Sequence, residues 1–563
     1  MANDPKGFRR NLTNYGDVDF ALYLRRSFAR SMGYSLEMLE RPIVGIAQTA
    51  SGFNNCHRHV PELVEAVKRG VLKAGGLPLD FPTISLGEIF LYPTSLVYRN
   101  LMSMDTEEMI RAQPMDACVL IGGCDKTVPA QLMGAASADV PAIQLVTGPM
   151  MAMPFHGERL GACTDCRRFW AKYRAGEIDA AGIAEVEGNL ATTAGTCAVM
   201  GTASTMACIA EALGMALPDS AAIPAVHADR LRAAEASGAR AVALAAERLT
   251  PSRIITPASV RNALRVLLAI GGSTNAIVHL TAIAGRRGIS VSLHELNRLS
   301  DETPVLVDLK PTGQHYMQDF HAAGGMQALL CELKDLLELD CITVSGQTLG
   351  ERLRGGAAYV DRSVIRSRED PFQSSGGLAA LFGNLAPRGA IIKRSAADPR
   401  LFEREARAVV FDGLEDLARR IDEPTLDVTA DDFLVLKNAG PCSPSGMPEA
   451  GYLPIPKKLA QQGVKDMVRI SDARMSGTAY GTVVLHVTPD AASGGPLALV
   501  RTGDRIGMSV RERRLDLLVD PAELERRRAA LPAPELPRRG YARLYREQIT
   551  QADLGCDFEF LRG

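Results

Sequence analysis

The stretch Ala117-Cys118-Val119-Leu120-Ile121-Gly122-Gly123-Cys124-Asp125-Lys126-Thr127-Val128-Pro129-Ala130 runs from an apolar segment through two glycines into a thiol, a carboxylate and an amine. A short apolar run closed by glycines reads as a strand buried on both faces, as in a parallel sheet covered by helices. The glycines and Cys124 then occupy the turn at the strand's carboxyl end, where open α/β sheets bind ligands. Cys124 is a soft ligand suited to iron or zinc, and Asp125 a hard one suited to magnesium. Lys126 beside them is a charge that must be used or chemically masked. The tripeptide reads as a metal junction on an α/β scaffold.

The same grammar recurs elsewhere. Residues 43–48 form another strand-like run, followed by Ser51-Gly52-Phe53-Asn54-Asn55-Cys56 and a helical pattern over 60–74. Cys197 lies in Ala194-Gly195-Thr196-Cys197-Ala198-Val199-Met200-Gly201, ahead of a small-residue helical stretch over 204–215. Three cysteines far apart in sequence thus fall at loop-to-helix turns, where the positive helix end and free amides stabilise thiolates. They are placed to converge. His57 and His59 beside Cys56 either tune it or face solvent. Cys163-Thr164-Asp165-Cys166 has CxxC spacing but no second pair at zinc-ribbon spacing, so it reads as structural. Gly271-Gly272-Ser273-Thr274-Asn275 lacks the spacing of a phosphate loop and reads as a turn and site scaffold beside a substrate carboxylate.

Strand-like runs alternate with helical patterns from about residue 35 to about 350, which predicts a parallel sheet flanked by helices. The texture changes after Asp370-Pro371-Phe372-Gln373-Ser374-Ser375-Gly376-Gly377. From Ala390 onward come short β-rich segments at 407–411, 433–436, 483–487 and 497–500, with Gly and Pro between them. The expectation is an N-terminal α/β domain over 1–370 and a β-rich, barrel-like domain over 371–563. The Arg-rich stretch 523–539 reads as a solvated helix and linker.

Lys+Arg number 63 against 65 Asp+Glu, a net charge of −2, so no basic field points to nucleic acid. No apolar run approaches the roughly 18 residues of a membrane span. Eleven cysteines in 563 residues, without a signal peptide, indicate thiols kept reduced in a cytoplasmic protein.

Five motifs in register carry a family resemblance: Gly122-Gly123-Cys124-Asp125-Lys126-Thr127, residues 195–206 around Cys197, Gly271-Gly272-Ser273-Thr274-Asn275-Ala276, Gly446-Met447-Pro448-Glu449 and Ser471-Asp472-Ala473-Arg474-Met475-Ser476-Gly477-Thr478. Together they resemble the iron–sulfur-dependent dihydroxy-acid and sugar-acid dehydratases, in order from about residue 40 to the C-terminus. The resemblance implies that Cys56, Cys124 and Cys197 hold a 2Fe-2S cluster, with one iron open to a substrate hydroxyl. It implies a magnesium site at Glu88, Asp125 and Glu449, with Lys126 carried as a carbamate. It implies Ser476 as the base, with Arg474 and Thr478 as substrate-binding neighbours. The active site is expected between the two domains, in a homodimer or a dimer of dimers.

That set suits one reaction, the conversion of a 2,3-dihydroxy acid to its 2-keto-3-deoxy acid. The C2 proton is weakly acidic and hydroxide is a poor leaving group from C3, so both ends need help. Ala473 and Met475, with residues 541–560, resemble the aldonate branch, whereas the branched-chain biosynthetic branch usually has Gly and Phe at those two positions. The alternative substrate is therefore 2,3-dihydroxyisovalerate. Two readings from other classes remain: a zinc-dependent hydrolase built on Cys, His and Asp, and a thiol redox protein built on Cys163 and Cys166.

Overall fold

The computed structural model describes residues 6–12, 15–533 and 535–563. The metal-junction strand is where the sequence places it. Four parallel strands, β1 (Ile43–Gln48), β2 (Leu77–Pro82), β3 (Ala117–Gly122) and β4 (Ala142–Val146), form a sheet in the order β2-β1-β3-β4. Helices α1 (Val60–Lys73), α2 (Ser95–Ala112) and α3 (Thr127–Ala138) connect them. Every residue of β3 and β4 is buried, as expected of strands covered on both faces.

The expected alternation stops at Val146. The chain then continues mainly as helices, among them α4 (Thr164–Ala175), α5 (Thr202–Ala212), α6 (Ala228–Glu247), α7 (Pro257–Ala269), α8 (Asn275–Gly285) and α9 (Met317–Ala322). Short apolar runs such as Val266 to Ile270 suit a buried helix as well as a strand; Thr256 and Ser259 decide for helix by closing a reciprocal cap ahead of Pro257.

Helices α1 and α6 cross at two glycines. A Cβ on Gly70 would lie 1.9 Å from the Glu235 carbonyl oxygen, and one on Gly238 would lie 2.2 Å from that of Val67. Glycine weakens a helix interior, so its presence at the crossing reflects the close backbone approach. Gly238→Ala is expected to destabilise the protein by about 2 kcal/mol through overpacking, read as a lowered thermal midpoint. An unchanged midpoint would show that the helices can separate freely.

The C-terminal half forms an eight-stranded mixed sheet from β5 (Leu378–Leu381), β6 (Gly389–Lys393), β7 (Glu403–Phe411), β8 (Phe433–Leu436), β9 (Arg469–Ser471), β10 (Val483–Thr488), β11 (Arg505–Ser509) and β12 (Arg514–Leu517). Its order is β12-β11-β7-β8-β9-β10-β6-β5, with β7 to β10 mutually parallel and the outer pairs antiparallel. The two edges meet: the Phe382 amide donates to the Arg513 carbonyl at 2.8 Å and the Leu515 amide to the Phe382 carbonyl at 2.8 Å, nearly closing a barrel. β5 and β6 serve two cores. Leu378, Ala380 and Ile391 face the α/β layer, while Ala379, Leu381, Ala390 and Ile392 fill the barrel.

One predicted strand is not one. Residues 497–500 fall in a 3-10 turn, Pro496–Leu499, in which the Val500 amide donates to the Leu497 carbonyl instead of a neighbouring strand. Pro496 at the start of the turn supplies no ladder donor. The Arg-rich stretch begins as the helix Pro521–Ala529, which buries no side chain, as expected. Among the described residues no helix is long and apolar enough to cross a membrane.

Candidate active site

The carboxyl edge of β3 delivers Gly122 to Lys126 into the space between the sheet and the C-terminal half. His57 fixes this turn. Its Nε2 accepts the Gly123 and Cys124 amides, both at 3.0 Å, while Nδ1 faces the Thr49 carbonyl at 3.1 Å and so carries the proton. Burial brings the imidazole down to about 4, keeping it neutral and able to accept both amides. His59 faces the Thr147 carbonyl at 2.9 Å. Both histidines are buried, so neither has the solvent-facing role that sequence allowed. His57→Leu would leave two buried amides without an acceptor, at a cost of about 1–3 kcal/mol each. A loosened Cys124 turn and a lowered thermal midpoint are expected; an unchanged midpoint would contradict this role.

Cys56 lies in the turn Asn55–His57 and its thiol adjoins Cys124, the contact that first of all, with burial, pushes the Cys56 thiol well up. Cys197 lies ahead of α5, with its thiol 3.2 Å from that of Cys163. The structure therefore shows two thiol pairs, Cys56 with Cys124 and Cys197 with Cys163. The Cys197 loop packs on the Thr478 loop: a Cβ on Gly201 would stand 2.8 Å from the Thr478 methyl and 4.0 Å from Cys197 Cβ. Cys163 and Cys166 both read from sequence as structural, for want of a second pair; Cys163 is the one that meets Cys197. Cys166 itself donates to the Cys163 carbonyl at 2.6 Å, and its thiol is pushed up by the Cys163 contact and by burial, opposite to a reactive redox thiol.

Beside the thiols lies a buried charge cluster. Oxygens of Glu88, Asp125 and Glu449 all fall within 4.8 Å of one another, an all-oxygen set of the hard kind that magnesium takes. Glu88 lies beyond β2, which ends at Pro82, and stands in a turn ahead of α2. There it accepts from Thr94 at 3.2 Å, from the Ser95 hydroxyl in a short bond, from Lys126 Nζ at 3.2 Å and from Arg474 Nη2 at 3.1 Å. Burial works to raise its pKa, but Arg474 and Lys126, then the Ser95 hydroxyl, outweigh burial and bring it down to about 2. Glu449 accepts from Arg474 Nη1 at 2.8 Å and from the Asn275 side-chain amide at 3.0 Å. Burial first, then the neighbouring Glu88 charge, raises its pKa. Lys126 is fully buried and donates a short bond to Asp125.

Arg474 joins the two halves of the site, since its Nε also donates to the Met447 carbonyl at 2.8 Å and its Nη2 to Thr94 at 2.7 Å. Thr94, Ser95 and Asn275 are thus site residues. Asn275 belonged to a quoted motif, whereas Thr94 and Ser95 carried no local signal and meet Glu88 only through the tertiary fold.

Ser476 lies on the loop after β9 and is partly exposed. Its Oγ is 2.8 Å from Thr478 Oγ1 and accepts the Thr478 amide at 3.4 Å. Thr164 Oγ1 donates to the Thr478 carbonyl at 3.1 Å, and Gly477 packs against Ser273 and the Thr202 amide, with no room for a Cβ. Thr202 in turn bonds Ser273 at 2.8 Å and Asn275 at 3.1 Å. This polar chain ties the serine loop to Glu449.

Among the described residues, two groups of three or more ligands lie close enough for one ion, and neither contains a cysteine. Neither thiol pair has a third ligating atom within 4.8 Å, so the described residues offer a mononuclear zinc no site built on sulfur. Thiols in neighbouring pairs suit a cluster with more than one iron.

Soft thiols, a hard carboxylate triad and a partly exposed serine between a parallel sheet and a barrel-like sheet are the equipment of a metal-dependent dehydratase, a hydro-lyase. The chain belongs to the dihydroxy-acid/6-phosphogluconate dehydratase family: the family's N-terminal model matches residues 41–352 and its C-terminal model residues 363–556. It is 48% identical over 560 residues to L-arabonate dehydratase of Azospirillum brasilense, covering 98% of this chain and 96% of that one. It is 46% identical over 530 residues to 6-deoxy-6-sulfo-D-gluconate dehydratase of Pseudomonas putida, covering 93% and 91%. Dihydroxy-acid dehydratase of Caldanaerobacter subterraneus is 38% identical over 542 residues, covering 95% and 96%.

Proposed function

We propose that this enzyme dehydrates an aldonate to its 2-keto-3-deoxy acid in the cleft between two lobes that divide near residue 370. The observation that carries the reading is the meeting of Glu88, Asp125, Lys126, Glu449 and Arg474 beside paired thiols and Ser476. Higher identity to sugar-acid dehydratases than to the dihydroxy-acid dehydratase favours a polyol tail.

In this reading Cys56, Cys124 and Cys197 hold a 2Fe-2S cluster, and Glu88, Asp125 and Glu449 hold magnesium. Together these groups supply Lewis acidity at the C3 hydroxyl and at the carboxylate end of the substrate. Lys126, carried as a carbamate, adds oxygens to the magnesium set; as a free amine it offers the three carboxylates the positive charge that the ion would bring. Ser476 Oγ, as the alkoxide, takes the C2 proton, which leaves with the C3 hydroxide as water. The serine's hydrogen-bond partners in the protein both come from Thr478, and neither is a base. Lowering of the serine pKa therefore falls to positive charge near the cleft. Arg474 holds Glu88 and Glu449 at fixed separation, and Thr478 aims the serine. Loss of the C3 hydroxyl leaves an enol that tautomerises to the ketone, with no net redox change.

Four large apolar side chains on adjoining loops at this cleft, Phe53 (80% exposed), Ile89 (77%), Phe90 (67%) and Tyr92 (88%), support assembly as a homodimer or dimer of dimers. All eleven cysteines are free thiols, which suits a cytoplasmic enzyme. The test is kcat/KM with magnesium for a panel of pentonates and hexonates against 2,3-dihydroxyisovalerate. An aldonate is expected to lead; preference for dihydroxyisovalerate would move the enzyme to the branched-chain reaction. Glu449→Gln should raise the magnesium concentration needed for half-maximal rate by about ten- to a hundredfold, and an unchanged requirement would remove Glu449 from the ion's ligands.

A further inference from the structure

The second group of ligating side chains is His227, Asp229 and His321, whose ligand atoms all fall within 4.8 Å of one another. It shares no residue with the catalytic cleft and differs from it in kind. Two imidazoles and one carboxylate suit zinc and its transition-metal neighbours, whereas the three carboxylates at Glu88, Asp125 and Glu449 suit magnesium. We infer that His227, Asp229 and His321 form a binding site for a divalent transition metal of the zinc class.

The local structure prepares the site. His227 caps the N-terminus of α6, its Nδ1 accepting the Asp229 amide at 3.1 Å and lying 3.3 Å from Asp229 Oδ2, so ligation through Nδ1 would trade this cap bond for the ion, and ligation through Nε2 would release its proton to solvent. The other Asp229 oxygen pairs with Arg232, so the carboxylate is anchored and presents its free oxygen to the histidine. His321, from α9, places its ring 5.6 Å from that of His227, at 71°. Burial, then His227 and Arg230, lower the His321 pKa, so this imidazole is neutral and ready to ligate near pH 7. The helix N-terminus and Arg232 oppose a cation, so the site should bind in the micromolar rather than the nanomolar range.

Its position gives it a consequence. Close to His227 along the chain, the Ala225 amide donates to the Pro149 carbonyl at 2.8 Å, in a ladder where Met150 donates to Thr196 at 2.8 Å and Thr196 to Gly148 at 2.9 Å. At the head of α9, the Met317 amide donates to the Ala198 carbonyl at 2.8 Å. The elements that carry the ligands thus bracket Cys197 on both sides, and a bound ion would staple that frame together.

The experiment is a zinc titration by calorimetry of the anaerobically purified, cluster-bearing enzyme, with magnesium in excess to fill the oxygen site. His227→Asn keeps a good helix cap while removing the imidazole, and His321→Gln removes the other ring without touching α6. Wild type should bind zinc with a raised thermal midpoint, and each variant should bind it about ten- to a hundredfold more weakly, with its zinc-free midpoint unchanged for His227→Asn. Equal affinity in wild type and both variants, or no binding by wild type below millimolar zinc, would overturn the site.

Discussion

Ser476→Ala is expected to keep the visible absorption of the proposed iron–sulfur cluster while lowering kcat by on the order of a thousandfold or more. The substitution removes one oxygen from a partly exposed loop position, and the hydrogen bonds of that hydroxyl are both to Thr478. The loop is held independently, by Thr164 on the Thr478 carbonyl and by the packing of Gly477 on Ser273. Folding, cofactor loading and substrate affinity should therefore survive, and the loss should fall on kcat rather than KM. Full activity in the variant would remove Ser476 from the proton transfer, and a lost spectrum would mean that the loop supports the cluster instead.

Cys124→Ser should lose both absorption and turnover. The thiol is buried beside Cys56, and the turn that carries it is positioned through backbone amides bonded to His57, which the substitution does not touch. A colourless but folded protein with a normal far-ultraviolet spectrum is the expected outcome. Because Asp125 and Lys126 keep their own partners, magnesium binding should be affected far less than iron. Retention of iron and sulfide at wild-type levels would show that Cys124 is not a ligand. The pair of variants separates the two chemistries of the cleft: one loses the base and keeps the cofactor, the other loses the cofactor.

The scaffold was legible where local pattern and burial agree. The run 117–121 is apolar at every position because both faces of β3 are covered, and the glycines after it mark the turn where the site forms. The pattern misled beyond Val146, where the expected strand–helix alternation gives way to helices, and where a proline starts a turn, as at Pro496. Motif residues such as Arg474, Glu449 and Asn275 could be picked out singly, but their mutual bonds could not. Thr94 and Ser95 reach Glu88 across a turn, and Cys163 reaches Cys197 from 34 positions away, contacts that no spacing rule encodes. His227 and His321 likewise meet only because α9 returns to the start of α6.

The central claim is dehydration of a 2,3-dihydroxy acid by proton removal at C2 and loss of hydroxide from C3. It is tested most directly by incubating the anaerobically purified enzyme with magnesium and an aldonate in deuterium oxide and reading the product by NMR. The account predicts a 2-keto-3-deoxy acid carrying a single solvent-derived deuterium at C3, because the enol is protonated there by solvent. An oxidised product, or no keto acid from any aldonate or from dihydroxyisovalerate by an enzyme that retains its cluster, would contradict it.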